Sequence, residues 1–368
     1  MQTVFLNQGI KPLSKVISRL KACRVFLVAS SDVFKIFKQE IQNIILPRDF
    51  FLFEDFEVNP KYKDILKGID KYHKFKPDVV VALGGGTTID VAKAINFLAY
   101  QSVSPEALIV GKSKDFLEPS VPLIAMPTTA GTGSEETSFS VVYIENSKHS
   151  LTNHHLKPNI VIADSSLIRS MPAYLAGCTG LDALTQAVES LWSRGNNTES
   201  FEYAKSCIRL VLDNLEDSIN QPKKTNLESM VVAANLSGKA INITKTTVAH
   251  ALSYSLTSNF NIPHGHAVAF LLPPTLFATF WKGNDEVRNR INTIFEIFDV
   301  ASNESFLIKW KSLMKNCALG VDLKKYDVKN SDADLIASEV NPERMSNHPV
   351  DFSSRELRDI IGQMVDIF

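Results

Sequence analysis

Three consecutive glycines, Gly84 to Gly86, follow directly on the apolar run 78–83, and this junction is the strongest constraint on the fold. The run is rich in β-branched residues and predicts a buried parallel strand. Helical periodicity begins at Ile89, so a strand, a glycine turn and a helix follow one another. This arrangement directs backbone N–H groups at an anion, and the helix N-terminus adds about half a positive charge. A tight turn without a ligand is the alternative, and the triplet by itself does not choose between them.

Strand and helix signals alternate through the first 165 or so residues, which is typical of a parallel sheet with helices on both faces. Ligands of such sheets bind at the carboxyl ends of the strands. The glycine turn lies at such an end, and so does the segment 127–135. The predicted strands are 24–30, 50–53, 78–83 and 121–126, and the predicted helices are 33–45, 61–75 and 88–100.

Strand signals fade from about residue 167, and helical periodicity takes over. The predicted helices are 181–192, 198–219, 226–242, 247–256, 267–281, 284–298 and 354–365. A chain of 368 residues is long for a single hydrophobic core, so we expect two domains. The predicted organisation is an α/β domain over residues 1–165 and an all-α domain over residues 166–368.

Composition narrows the classes of function. The hydrophobic content of 45% and the charged content of 21% are those of an ordinary globular protein. The net charge of −1 argues against bulk binding to nucleic acid or to an anionic membrane. The four cysteines are scattered without a C-x-x-C pair, and we find neither a signal peptide pattern nor an apolar run of about 18 residues. We therefore expect a reduced, cytoplasmic protein that does not bind membranes.

Two histidines and an aspartate in the helical half form a candidate metal site. His250 lies in a predicted helix, His264 lies in a turn that opens the next helix, and Asp182 lies at the predicted start of another. Two imidazoles and a carboxylate can hold a divalent metal and leave positions open for a substrate. The sequence does not prove that the three converge, because a lone histidine is more often structural. The histidines within 149–155 fall in a predicted polar loop without ligand spacing.

Four segments, taken in order, carry a resemblance to a known family. They are Gly84-Gly-Gly-Thr-Thr-Ile-Asp90, Pro127-Thr-Thr-Ala-Gly-Thr-Gly-Ser-Glu135, Asp182-Ala-Leu-Thr, and His250 followed by Ile262-Pro-His-Gly265. In order and spacing the chain resembles the iron-containing (group III) alcohol dehydrogenases over essentially its whole length. The resemblance implies a Rossmann-like dinucleotide-binding domain followed by a helical metal-binding domain, as in the dehydroquinate synthase-like fold.

The resemblance also implies roles for individual residues. Asp182, His250 and His264 would be metal ligands, and Lys148 would contact the cofactor, NADH or NADPH. The pyrophosphate would be bound by Gly85, Gly86, Thr87 and Asp90, and the nicotinamide side would be lined by Thr128, Thr129 and Ser134.

Two positions depart from the family pattern. The family commonly has histidine at the position of Gln186, four residues after Asp182 and on the same helix face. It also commonly has histidine at the position of Tyr254, four residues after His250. Gln186 offers an amide oxygen as a weaker fourth ligand, and Tyr254 offers a phenol that can donate a proton. The resemblance implies iron as the metal, and zinc accepts the same donors.

The implied reaction is reversible hydride transfer between NAD(P)H and a carbonyl, with a metal acting on the carbonyl oxygen. A proton must follow from a metal-bound water, the ribose hydroxyl chain, Tyr254 or His266, and the sequence does not choose among them. The residues at the end of the first predicted strand, 28–32, leave the choice between NAD and NADP open. We expect the protein to be a homodimer.

Lys239 and Lys245 precede the predicted ligand His250 and bear on the substrate class. Lysines close to a dication are electrostatically costly unless an anion joins them, although lysines commonly face solvent. Segments 233–246, 249–257 and 262–267 are similar to the phosphonoacetaldehyde reductase branch, which implies reduction of phosphonoacetaldehyde to 2-hydroxyethylphosphonate. A general short-chain alcohol dehydrogenase, a dehydroquinate synthase-type lyase and a non-catalytic nucleotide-binding protein are the alternatives.

Overall fold

The computed structural model describes residues 2–145, 147–340 and 345–368. The chain divides into two compact units. The first comprises Met1–Thr129 and Gly133–Ser170, and the second comprises Ala130–Thr132 and Met171–Phe368.

The first unit is built on a parallel sheet with six strands among the described residues, in the spatial order β1-β8-β5-β4-β2-β3. Its strands are β1 Thr3–Leu6, β2 Arg24–Val28, β3 Asp49–Phe53, β4 Val79–Gly84, β5 Leu123–Pro127 and β8 Ile160–Ala163. The helices of the unit are α1 Pro12–Arg19, α2 Ser31–Ile45, α3 Tyr62–Phe75, α4 Gly86–Leu98, α5 Pro105–Ile109 and α6 Ser165–Ile168. The parallel sheet with flanking helices confirms the predicted α/β class.

Strand β4 and helix α4 form the centre of this unit. Every residue of β4 is buried, as expected for a strand with neighbours on both edges and both faces. Helix α4 is buried from Thr88 to Leu98 because it packs against the sheet on one side and against α3 and strand β6 (Phe139–Ile144) on the other. A helix covered all round is apolar all round, so any charged side chain on α4 needs a specific reason to be there.

Four strands of the first unit were absent from the sequence prediction. Edge strand β1, strand β8, and the antiparallel pair β6 Phe139–Ile144 and β7 Ser147–Thr152 depend on pairing with distant or adjacent strands. β1 and β8 have four residues each, which leaves too little periodicity to recognise in the sequence. β6 and β7 have six residues each but are only partly buried, so their apolar pattern is weak. One consequence is a correction, because His149 lies in β7 and not in a loop.

The second unit is helical, and no strand occurs among its described residues. Its helices are α7 Ala173–Trp192, α8 Thr198–Asn220, α9 Lys224–Thr244, α10 Val248–Phe260, α11 His264–Lys282, α12 Asp285–Ile297, α13 Asn303–Asn316, α14 Ala333–Ser338 and α15 Ser354–Ile367. This confirms the predicted all-α half. No helix in the described parts of either unit has the length and apolar character required to cross a bilayer.

Helix α7 begins eight residues earlier than predicted, at Ala173, so the prediction that Asp182 starts a helix is wrong. Two glycines in its first turns permit close packing. An added Cβ on Gly177 would overlap the carbonyl oxygen of Cys317, and one on Gly180 would overlap the side chain of Leu215. Asp182 is therefore held in mid-helix, where its backbone is rigid.

Candidate metal centre and dinucleotide-binding turn

Three helices of the second unit bring Asp182, His250 and His264 together. Each residue offers one ligand atom, and the three atoms lie within 4.8 Å of one another. Asp182 and His250 are buried, whereas the side chain of His264 is 35% exposed. A carboxylate and two imidazoles at this spacing suit a divalent cation, and the exposed side leaves room for a substrate.

Hydrogen bonds turn the same ring nitrogen of both histidines toward Asp182. Ser253 donates its hydroxyl to the carbonyl oxygen of His250 at 2.8 Å, so its oxygen is left to accept from His264 Nδ1 at 3.3 Å. His250 Nδ1 donates to a carboxylate at 2.5 Å. The two Nε2 atoms consequently lie 3.2 and 3.8 Å from Asp182 Oδ1. Both Nε2 atoms thus face one carboxylate oxygen, and on deprotonation their lone pairs would be directed at one metal ion.

The carboxylate behind His250 belongs to Glu189, which sequence analysis missed. Glu189 is fully buried on α7. Besides His250, it accepts the backbone N–H of Thr247 at 3.0 Å and of Ala249 at 2.8 Å, and the hydroxyl of Thr247 at 2.6 Å. It therefore takes the place of a side-chain cap at the start of α10 and orients a ring one turn into that helix.

The charges of this cluster reinforce one another. Burial by itself would raise the pKa of Glu189, but the charge of His250 and the hydrogen bonds outweigh it and lower the pKa to about 2. Burial would lower the pKa of His250, and Glu189 and Asp182 together raise it to about 8. A carboxylate that keeps its charge holds the imidazole in one orientation.

Glu189 completes a polar stripe along one face of α7. Asp182, Gln186 and Glu189 stand at positions i, i+4 and i+7 of an otherwise buried apolar helix. That spacing places all three on one face, and this pattern is the signal by which Glu189 was recognisable in the sequence. The Gln186 amide donates to Asp182 Oδ2 at 3.0 Å and accepts from the Ser237 hydroxyl at 2.6 Å. In this arrangement Gln186 orients the carboxylate of Asp182.

Tyr254 and His266, the two predicted proton donors, have different surroundings. The ring of Tyr254 stacks on that of His264, with centroids 5.7 Å apart and an interplanar angle of 16°. His266 is fully buried, and its ring bonds to the carbonyl oxygen of Gly320 at 2.7 Å and to the Tyr174 hydroxyl at 3.0 Å. Both of its nitrogens are thus engaged within the helical packing, whereas Tyr254 stands beside a candidate ligand.

Close packing also places His264 itself. It is the first residue of α11, directly after Pro263. An added Cβ on the next residue, Gly265, would overlap the backbone carbonyl of Cys178 on α7. The glycine lets the start of α11 lie against α7, and this close approach brings His264 near Asp182.

In the first unit, β4 ends at Gly84 and α4 begins at Gly86, so the N-terminus of the helix stands at the carboxyl end of a central strand. An added Cβ on Gly84 would overlap Thr88, and one on Gly85 would lie 3.2 Å from Thr129. The first two glycines thus serve the packing of the turn. The first turn of the helix carries amides without partners inside the helix, and these suit a dinucleotide phosphate.

Two predicted cofactor contacts, Asp90 and Ser134, bond to each other. The Ser134 hydroxyl donates to Asp90 Oδ1 at 2.5 Å, and the other carboxylate oxygen accepts the backbone N–H of Val141 at 3.0 Å. Both side chains are buried. Burial raises the pKa of Asp90, against the opposing effects of Lys93 and these hydrogen bonds. In this structure the pair fastens the loop after β5 to helix α4.

Three of the other predicted cofactor residues, Thr87, Thr128 and Thr129, lie at the same turn. Thr87 is half-buried in the first turn of α4, and the Thr128 N–H donates to the carbonyl oxygen of Gly84 at 3.0 Å. Thr129 lies against Gly85. Lys148, on β7, has its ammonium 5.9 Å from the ring centroid of Tyr143 on the paired strand.

The two lysines predicted to bind substrate have different surroundings. The Lys239 ammonium lies 5.8 Å from the ring centroid of Tyr203 on α8. Lys245 follows α9 with φ 60° and ψ −178°, a conformation found almost only in glycine, and such a residue costs on the order of 1–3 kcal/mol. Asn347 holds the segment on both sides by donating to the carbonyl oxygens of Thr244 and Thr246. A strained residue held in this way, five positions before His250, is typical of a functional segment.

Comparison with known proteins identifies the family. The N-terminal half matches the model "Iron-containing alcohol dehydrogenase" over residues 2–165, and residues 177–365 match the model of the family's C-terminal domain. The chain belongs to the iron-containing alcohol dehydrogenase family. This confirms the predicted family.

Relatives in this family include an NADPH-dependent butanol dehydrogenase of Clostridium saccharobutylicum, 29% identical over 75% of this chain and 72% of the relative. An aldehyde-alcohol dehydrogenase of Streptococcus pneumoniae is 31% identical over 60% of this chain, which spans about a quarter (26%) of that longer relative. The solved sulfoacetaldehyde reductase of Bifidobacterium kashiwanohense, in complex with NAD+, superposes with a TM-score of 0.89 at 24% identity and covers 99% of this chain and 97% of that one. This likeness confirms the family fold.

Proposed function

We propose that this protein catalyses the metal-dependent, NAD(P)H-linked reduction of a short anionic aldehyde to the alcohol, reversibly. The observation that carries the proposal is the cluster of Asp182, His250 and His264, whose ligand atoms lie within 4.8 Å and whose imidazoles both turn Nε2 inward. Family membership supplies the reaction class. We assign residues 1–165 to dinucleotide binding and residues 166–368 to metal binding and catalysis.

The side chains divide the work as follows. Asp182, His250 and His264 hold the metal, iron in this proposal with zinc as the alternative, while Gln186 and Glu189 orient Asp182 and His250. A bound divalent metal supplies a Lewis acid for the carbonyl oxygen, and the dinucleotide supplies the hydride.

Binding and proton transfer fall to other residues. The turn at Gly85 and Gly86 binds the pyrophosphate with backbone amides. Tyr254 Oη, stacked beside His264, donates the proton that the product hydroxyl requires. His266 stays within the helical packing and supports the start of α11.

The anionic part of the proposal rests on Lys245. Its strained backbone is maintained in the segment that leads into His250, and its ammonium would balance a substrate phosphonate near the metal. We therefore propose phosphonoacetaldehyde as substrate and 2-hydroxyethylphosphonate as product. The sulfoacetaldehyde reductase is named for a substrate of the same charge class, but at 24% identity the likeness supports the fold alone.

A general short-chain alcohol dehydrogenase is the second candidate. It is favoured by the position of Lys239, whose ammonium lies by the Tyr203 ring on α8. The butanol dehydrogenase among the relatives is named for an uncharged substrate.

The deciding experiment compares NADH and NADPH oxidation with phosphonoacetaldehyde and with propanal, in the presence of iron, zinc or a chelator. We expect turnover that needs metal and prefers the phosphonate. Lys245→Ala should lower kcat/KM for phosphonoacetaldehyde by about 10- to 150-fold, since a charge-assisted contact contributes roughly 1.5–3 kcal/mol, and should leave propanal unchanged. Lys239→Ala is the matched control. A wild type that prefers propanal would favour the second candidate.

We also propose that the protein is a cytoplasmic homodimer. Light scattering of the purified protein at several concentrations tests the assembly, and a mass of one chain (40.9 kDa) at all of them would contradict it.

A further inference from the structure

Helix α4 carries one fully buried cation, Lys93. The residue is 1% exposed and lies in the middle of the helix. Its ammonium donates to the Thr137 carbonyl oxygen and hydroxyl, both at 2.9 Å, to the Phe139 carbonyl oxygen at 3.0 Å, and to the Ser134 hydroxyl at 3.2 Å. The carboxylate of Asp90 lies 3.9 Å away.

The oxygens that accept from the Lys93 ammonium all lie in one segment, the end of the loop after β5 and the first residue of β6. Asp90, one turn before Lys93, bonds to Ser134 and to the N–H of Val141 in the same segment. Two neighbouring charged side chains of α4 therefore hold residues 134–141. The segment begins just after Thr128 and Thr129, the predicted nicotinamide-side residues, and α4 begins at the glycine turn. Lys93 thus links the two halves of the candidate dinucleotide site.

Packing alone does not account for a lysine here. Burial lowers the pKa of Lys93 to about 8, against the opposing effect of Asp90, which shows how strongly this environment disfavours the charge. An unbranched apolar side chain would fill a similar volume, and exchanging a buried charge for such a side chain is often neutral or stabilising. The ammonium fixes the position of the loop relative to α4, because it bonds to four oxygens of that loop.

We propose that Lys93 is a positioning residue that holds segment 134–141 against α4 and thereby shapes the dinucleotide site. The inference rests on the proposed function. It predicts that losing the ammonium weakens NAD(P)H binding while the metal centre in the other unit is unaffected. A residue needed only for folding would lower stability without a selective effect on the dinucleotide.

The test compares Lys93→Met with wild type and with Lys71→Met, a control at an exposed lysine on α3. We expect the dissociation constant for NADH or NADPH, measured by fluorescence titration, to rise at least about tenfold in Lys93→Met. Bound metal, circular dichroism and kcat at saturating dinucleotide should stay within about twofold of wild type. A folded Lys93→Met that binds as wild type overturns the inference.

A second pair of variants decides the matter if Lys93→Met does not fold. Thr137→Val removes one oxygen that Lys93 bonds, and Thr137→Ser keeps it. We expect Thr137→Val to weaken dinucleotide binding by about threefold or more and Thr137→Ser to restore it. Equal affinities in the pair overturn the inference. A wild type that binds neither NADH nor NADPH contradicts the proposed function itself, which separates the two failures.

Discussion

The candidate metal centre and the candidate dinucleotide-binding turn each contain a buried charged side chain that positions its neighbours, and these two charges are stabilised differently. Glu189 accepts two backbone N–H groups at the start of α10 together with an imidazole, so its pKa falls to about 2. Lys93 donates to neutral oxygens, with its carboxylate partner at 3.9 Å, and its pKa falls to about 8. Glu189 therefore keeps its charge at ordinary pH, whereas Lys93 is close to losing its own.

The comparison teaches that a charged imidazole, together with N–H groups at a helix start, compensates a buried anion more completely than carbonyl and hydroxyl oxygens compensate a buried cation. It also separates two kinds of function. The metal centre depends on the direction of a few side chains, and the turn depends on backbone amides and on the loop that Lys93 holds. Variants in one region should therefore leave the other intact.

The largest effect is expected from His264→Ala. Among the residues that the structure describes, the cluster holds only these two histidines, so bound metal should be lost. Turnover should fall by on the order of 10²- to 10³-fold, since the metal contributes several kcal/mol. Metal content and steady-state kinetics measure this, with NADH affinity as the internal control. Stoichiometric metal with full activity would remove His264 from the ligand set.

Gly86→Val is the matching change in the turn. Gly86 is the first residue of α4, and valine tolerates a helical backbone there, so the fold should persist. The branched side chain would stand where pyrophosphate approaches, and losing one or two charged hydrogen bonds corresponds to about 100-fold weaker NADH binding. Bound metal should be unchanged. If the folded variant titrates with NADH as wild type does, the phosphate site lies elsewhere.

Glu189→Gln tests the orienting carboxylate. Glutamine has the same size, but its amide NH2 replaces one of the two oxygens that accept hydrogen bonds from α10. The orientation of the His250 ring, with Nδ1–H donating to residue 189, is therefore weakened. Metal affinity should fall by about 10- to 100-fold, as is typical when the partner of a metal-bound histidine is changed. Competition with a chelator measures the metal affinity. The control is Glu199→Gln, at an exposed position on α8. Unchanged affinity would reduce Glu189 to a helix cap.

Gln186→His distinguishes the two roles of this position. An imidazole would restore the common family pattern, and as a fourth strong ligand it should raise chelator resistance by about tenfold. Should resistance stay equal or drop, residue 186 acts only on the orientation of Asp182, as its hydrogen bonds to Asp182 and Ser237 indicate.

The smallest effect is a pH dependence of the metal-free protein. The pKa of His250 is raised from 6.5 to about 8 by Glu189 and Asp182, so the stability it contributes is complete below pH 6.5 and is lost as pH rises through 8. The Tm of metal-free protein should therefore fall between pH 6.5 and 8. The pKa of Lys93 is lowered on folding to about 8, so Lys93 makes stability rise with pH, but only above about pH 8. Glu189→Gln should flatten the slope; a flat wild-type profile would contradict the assignment.

Much of the fold follows from local patterns. The apolar run before Gly84 needed no distant information to be recognised as a strand, and the helices predicted after residue 198 have observed ends within a few residues of those predicted. Helices α13 and α14 were not predicted. Short elements such as β1 and β8 escaped recognition because their stability comes from each other, through a ladder between residues 3–6 and 160–163. The start of α7 was misplaced because a glycine reads as a break in sequence even where it serves close packing.

The sequence by itself determined the residue types of the site: two imidazoles, a carboxylate and a glycine turn in a recognisable order. Tertiary structure alone decided what surrounds them. The role of Glu189 becomes visible only from its contacts with the start of α10, and the role of Lys93 only from its contacts with the loop after β5. The physical reason is that ligand chemistry belongs to a side chain, whereas burial, tautomer and charge compensation belong to partners that lie far away along the chain.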